Sequence, residues 1–201
     1  MNMETLNDLT LKSLINNPDI IVWPEAPLPI PYNNIKNTYY EKVLGSIPAS
    51  TALISGSFYK HNNTIFNSLI NITDSKNIYH KQHLVPFGEY LPFRYYLTFF
   101  YNALGMDILD ISRGTGLNSI GIKDYIAHSL ICYESIFSKD SLIKNPNTDF
   151  IINVTNDGWF GNSLAPVQHL DALRMRSLEN QRYSVRAANS GISAIISPYG
   201  E

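Results

Sequence analysis

Short apolar runs that stop at a polar or turn-forming residue recur along this chain, and they constrain its fold more than any other feature. "DIIVWPE", "STALISGSFYK", "TIFNSLINIT", "IAHSLICYESIF" and "TDFIINVTND" each carry β-branched or aromatic residues over a strand's length. "GISAIISPYG" reads as a last strand, and "PLPIPYNN" and "GWFGNS" as loops. Helical patterns lie between the strands. "METLNDLTLKSLINN" sets Leu6, Leu9, Leu14 and Ile15 at roughly helical spacing and stops at Pro18. The residues of 36–47 form a second helix with Gly45 as its stop, and 165–190 the strongest one. In that last helix Ser163 supplies the cap, Pro166 suits the first turn, and Val167, Leu170, Leu173 and Leu178 share a face. Strands alternating with helices predict an α/β architecture in one domain over residues 1–201.

Composition removes several classes of function. Hydrophobic residues make up 44% and charged residues 16%, so the chain can build a core. A net charge of −2 without a basic run leaves no footprint for nucleic acid. One cysteine excludes an internal disulfide framework and any cysteine-rich metal site. No apolar run approaches the ~20 residues that cross a bilayer, and the N-terminus lacks the basic start and apolar centre of a signal peptide.

Three polar residues each stand at or near the end of an apolar stretch: Glu25, Lys81 and Cys132. Sites in α/β folds gather where strands end, because side chains there leave the core and converge. A thiol nucleophile needs a base for its proton, and a carboxylate serves when burial tunes it. A cation beside the thiolate favours ionisation and steadies an oxyanion on the substrate. Taken singly, each residue has a plainer alternative: Cys132 as core filler, Glu25 as a cap or surface acid, Lys81 as a solvated charge.

The flanks of these residues resemble the nitrilase (carbon–nitrogen hydrolase) superfamily and, within it, the apolipoprotein N-acyltransferase branch. "IVWPEA" is similar to that branch's glutamate motif, "YHKQHLVPFGEYLPF" to its lysine motif and "ICYES" to its cysteine motif. "NVTNDGWFG" and "RSLENQRYSVRAANSGISAIISPYG" resemble the segments downstream. The resemblance implies an α-β-β-α sandwich. It makes Glu25 the general base, Cys132 the nucleophile, and Lys81 the oxyanion stabiliser with the backbone N–H of Tyr133. Glu89 would support the lysine, and Glu134 is the acid beside the nucleophile, with loop-capping and strand-end acids as their alternatives.

The implied reaction is acyl transfer in two halves. Cys132 takes an acyl group from a phospholipid donor as a thioester, and the N-terminal amine of a diacylglyceryl-cysteine apolipoprotein accepts it. No metal or organic cofactor is called for. The aromatic segment "LPFRYYLTFFYNALGMDIL", with Phe99 and Phe100 beside Arg94, would touch the membrane surface, the alternative being an internal helix. Trp159 and Phe160 would line the acyl pocket or plug the sheet edge. The resemblance also implies membrane helices and outer strands that this chain does not carry as written. The sandwich is thus expected to be incomplete at both ends, with an unpaired sheet edge and a separately encoded membrane portion as partner. By resemblance the site faces the periplasm at the inner membrane. A soluble amidase and an inactive remnant of a split gene remain the alternatives at this point.

Overall fold

The computed structural model describes residues 3–93, 96, 97, 99, 110–161 and 163–201. Among them two sheets form. The first holds β1 (Ile20–Trp23), β2 (Ala52–His61), β3 (Thr64–Asn71) and β4 (Ile78–His80) in that order. β1 is parallel to β2, and the other neighbours are antiparallel. The second holds β5 (Ser119–Ile122), β6 (Tyr125–Ile131), β7 (Phe150–Asn156), β8 (Ser184–Asn189) and β9 (Ala194–Ile196). β6, β7 and β8 are parallel, with β5 and β9 antiparallel at the edges.

Successive side chains of a strand point to opposite faces, so each sheet serves two layers of core. In the first sheet Leu53 and Ile70 pack outward against Leu6 of the N-terminal helix and against Tyr32, Tyr40 and Val43. Ile54 and Leu69 point the other way and meet Ile131, Ile152 and Val154 of the second sheet. Leu130 and Ile151 complete the pattern by packing on Leu173 of the helix Ala165–Asn180. Each such fully buried aliphatic side chain contributes about 1.5–3 kcal/mol relative to exposure. The result is the expected α-β-β-α sandwich.

Several expectations from the sequence need correction. The long helix does not run through residue 190. It stops at Asn180, Gln181 takes a left-handed conformation at φ 51°, and Ser184–Asn189 becomes β8. No glycine or asparagine marks that break at position 181, and the strand is set by its pairing between β7 and β9. Only part of the helix's apolar stripe is buried: Leu173 is in the core with Leu170 packed beside it, Val167 and Leu178 are exposed, and His169, Arg176 and Ser177 turn inward. Ser163 lies just outside the helix, its Oγ accepting the Ala165 N–H at 3.3 Å.

The N-terminal helix, Met3–Ser13, buries Leu6 and Thr10 and leaves Leu9 and Ile15 in solvent. Trp23 explains the polar choice, since its Nε1–H donates to Thr10 Oγ1 at 3.0 Å. The 3₁₀ turn Leu14–Asn16 that follows ends at left-handed Asn17, one residue before Pro18. The middle helical segment opens at Tyr32, inside the predicted loop, as Tyr32–Ile35, Lys36–Tyr40 and Glu41–Leu44. The predicted loop after Asn156 contains a 3₁₀ turn, Asp157–Phe160, capped by the Asn156 side chain accepting from the Gly158 N–H. β5 has no counterpart among the expected strands, because "NSIGI" is short and interrupted by a glycine.

Candidate active site

β1 delivers Glu25 through Pro24, and β2 lies so close beneath that it needs a glycine there. A Cβ on Gly56 would sit 2.6 Å from the Glu25 Cα, so any larger residue displaces the acid. Lys81 extends β4, its N–H donating to the Asn67 carbonyl of β3 at 2.8 Å. Cys132 follows β6 at the sharp entry to the 3₁₀ turn Cys132–Ile136, with φ 51°. A non-glycine residue in that region is held there by its surroundings and marks a strained position. Strand ends of both sheets thus bring Glu25, Lys81 and Cys132 together between the layers.

The Lys81 ammonium is 3.5 Å from Glu25 Oε1 and 2.9 Å from Glu89 Oε2, with Lys81 almost fully buried. Burial alone would depress its pKa; Glu25, the Cys132 thiol and Glu89 outweigh that and raise it, so it stays charged. Burial and the neighbouring Glu25 carboxylate push the Cys132 thiol up to about 12, against the opposing pull of Lys81 and a hydrogen bond with Thr155. The resting sulfur is therefore a thiol that shares a hydrogen bond with Glu25, not a free thiolate. Glu25 is placed to accept that proton. Its Oε1 receives the Asn67 Nδ2–H at 2.7 Å and its Oε2 the Asn156 N–H at 2.9 Å, so donors from both sheets fix the carboxylate.

Glu89 supports Lys81 directly, and is itself held by the Val85 N–H at 2.9 Å and by Asn67 Nδ2 at 2.8 Å. Glu134, by contrast, points away from the sulfur. Its Oε1 accepts from Tyr79 Oη–H, Gln82 N–H and His83 N–H, and its Oε2 from Ile131 N–H, all between 2.7 and 3.0 Å. Burial pushes its carboxyl up, and those four donors work against the shift. Glu134 is a clamp that ties the segment after Lys81 to the turn that begins at Cys132. The Tyr133 ring meets Phe137 edge-on, while Trp159 is 83% exposed and Phe160 turns its edge to His169. Phe99 is 85% exposed; Phe100 and Arg94 lie outside the described residues.

Two groups are not evident from sequence. Asn67 uses both hydrogens of one amide to join two carboxylates, and this fixes its orientation, because the flipped amide would face oxygen with oxygen. Its signal is a polar residue between Ile65 and Leu69 on one face of β3. The second group is Asp157, His169 and Arg186. His169 Nε2 is 3.0 Å from the Cys132 carbonyl oxygen, and its Nδ1 is 3.0 Å from Asp157 Oδ1. Arg186 donates to Asp157 Oδ2 at 2.8 Å. No local pattern links these three, which come from separate elements.

The architecture and the convergent Glu, Lys and Cys define a class, and the chain belongs to the carbon-nitrogen hydrolase family, whose model matches residues 2–201. Among curated proteins it is similar to apolipoprotein N-acyltransferase of Wigglesworthia glossinidia brevipalpis, 38% identical over all of this chain and 42% of that protein. The corresponding protein of Methylococcus capsulatus is 36% identical over 90% of this chain and 37% of its own length. The chain thus spans about two fifths of the curated relatives it matches. Among solved structures, an amidase from Nesterenkonia sp. shares the fold at a TM-score of 0.66 and 14% identity, covering 100% of this chain and 77% of that one. A carbon-nitrogen hydrolase superfamily protein of Xanthomonas campestris does so at 0.65 and 17%, over 99% and 77%.

Proposed function

We propose that this chain carries the catalytic domain of an apolipoprotein N-acyltransferase, with Cys132 as the acyl carrier. The observation that supports it is the convergence of three strand ends on one place: the Lys81 ammonium lies 3.5 Å from the Glu25 carboxylate, and both charges act on the protonated thiol of Cys132. The names of the curated relatives supply the acyl acceptor.

In the first half-reaction Glu25 takes the thiol proton as Sγ attacks the ester carbonyl of a phospholipid. The oxyanion forms beside the Lys81 ammonium and the Tyr133 N–H. Its collapse breaks the C–O bond, and the leaving lysophospholipid alkoxide takes the proton back from Glu25. In the second half the amine of a diacylglyceryl-cysteine attacks the thioester, loses a proton to Glu25 and leaves as an amide, and Cys132 regains its proton. Glu89 keeps Lys81 in place throughout, and Glu134 keeps the two segments together.

Contact with the donor membrane falls to exposed apolar residues within and after the lysine motif, Phe87, Phe93, Tyr96 and Phe99, together with Trp159. No helix among the described residues is long and apolar enough to cross a membrane. The partner in this reading is a membrane surface or a separate membrane portion. Incubating the chain with labelled phospholipid vesicles and a diacylglyceryl-cysteinyl peptide should yield the N-acylated peptide. Release of free fatty acid alone would make the chain a hydrolase and overturn the transfer step.

A further inference from the structure

Against the carbonyl of Cys132, a polar relay crosses the helix-facing layer of the second sheet. Asp157 is fully buried and its carboxylate is saturated: Thr155 Oγ1–H donates to Oδ1 at 3.0 Å, His169 reaches the same oxygen, and Arg186 donates to Oδ2 at 2.8 Å. Burial alone would push this carboxyl up, but the His169 hydrogen bond and the Arg186 guanidinium outweigh it and hold it low. Arg186 is fixed in turn by Asn153 Oδ1 and by the Ile192 carbonyl. Gly191 closes the cradle, since a Cβ there would lie 2.4 Å from Asp157 Oδ2. Side chains from three separate elements therefore hold one carboxylate, which in turn holds His169.

The other ring nitrogen of His169 meets the carbonyl oxygen of Cys132 at 3.0 Å. Both nitrogens face oxygen acceptors, so both bonds are donated only while both carry hydrogen. The carbonyl that His169 grips belongs to the same planar peptide as the Tyr133 N–H, and in a trans peptide these two groups point in opposite directions. Pulling on the oxygen from behind therefore aims the N–H forward. A donor on the carbonyl also polarises the amide and strengthens its N–H as a donor, as in any hydrogen-bonded chain. The left-handed φ of 51° at Cys132 puts the peptide where a non-glycine residue does not stay unaided, and His169 shares its anchoring with Ser135, whose Oγ–H donates to the same carbonyl at 3.1 Å.

We infer that His169, braced by Asp157 and Arg186, is a positioning residue that orients the Cys132–Tyr133 peptide so that the Tyr133 N–H can hold the oxyanion. The inference rests on the reading of Cys132 as acyl-accepting nucleophile. It separates two reactions of one sulfur. Acylation by an ester passes through an oxyanion and needs the oriented N–H; alkylation by iodoacetamide displaces iodide from a saturated carbon and forms none.

The test measures both rates in the intact chain, using a p-nitrophenyl acyl ester for the acylation burst. Asparagine and glutamine at position 169 are compared, since Gln keeps a donor within reach of the carbonyl and Asn falls short of it. His169→Asn should slow the burst by roughly 30- to 100-fold, less than the ~10²–10³ seen when an oxyanion donor is removed outright. Its alkylation rate should stay within about threefold, and His169→Gln should recover most of the burst. Equal bursts in the two variants, or parallel loss of acylation and alkylation, would overturn the inference and leave the nucleophile intact. A wild-type chain that shows no burst and no thioester on Cys132 would instead remove the nucleophile reading, and this inference with it.

Discussion

At the scale of single residues, the site depends on a few neutral groups that keep buried charges apart and paired. Asn67 is the clearest case, one amide between the carboxylates of Glu25 and Glu89 with Lys81 alongside. Asn67→Ala removes two charge-assisted bonds at once and leaves both acids short of a donor, so unfolding free energy should fall by about 3 kcal/mol. Urea denaturation followed by fluorescence measures it, and a loss below about 1 kcal/mol would mean water replaces the amide. Glu25, Lys81 and Cys132 were legible in the sequence because their flanking residues are distinctive over many positions. Asn67, Asp157 and His169 were not, because each acts across the fold on a partner at least twelve residues away. Glu134 is placed beside the nucleophile in sequence yet serves another purpose, since it touches four donors and leaves the sulfur alone.

Among the elements, β6 leads into Cys132 and also carries a buried titratable group, His128, on its helix-facing side. Burial lowers the His128 pKa to about 4 and the Lys144 charge adds to that, while the Asp140 backbone opposes it. A histidine kept neutral in the fold but free to protonate when unfolded contributes stability that is whole above its unfolded value near 6.5. That contribution is lost as pH falls from there toward 4. The full difference is on the order of 3 kcal/mol. Denaturation midpoints should therefore drop steeply between pH 6.5 and 4, and His128→Gln should flatten that slope; an equal slope in both proteins would put the acid sensitivity elsewhere. At this scale strands were legible where apolar runs were long, as in β2, β6 and β7. They were hidden where partners decide the conformation, as in β8, whose "SVRAAN" suits a helix until β7 and β9 pair with it.

For the molecule as a whole, strand ends of the two sheets bring Glu25, Lys81 and Cys132 together, and several large apolar side chains elsewhere stand exposed. Phe93 and Phe99 stand in solvent, where they add nothing to the core and suit a lipid surface. Phe93→Ser combined with Phe99→Ser should weaken co-flotation with phospholipid vesicles several-fold with an unchanged denaturation midpoint. Undiminished flotation would move the membrane contact to another face. The layered fold was legible because alternation along each strand, outward Leu53 against inward Ile54, follows from a backbone that both faces bury. The central claim, that this sandwich aims one thiol at an ester, is tested most directly on Cys132 itself. Intact-mass and peptide analysis after exposure to labelled phospholipid should find the acyl group as a hydroxylamine-labile thioester on Cys132, absent in Cys132→Ala and in Glu25→Gln. Label on another residue, or an equal adduct in Glu25→Gln, would contradict the account.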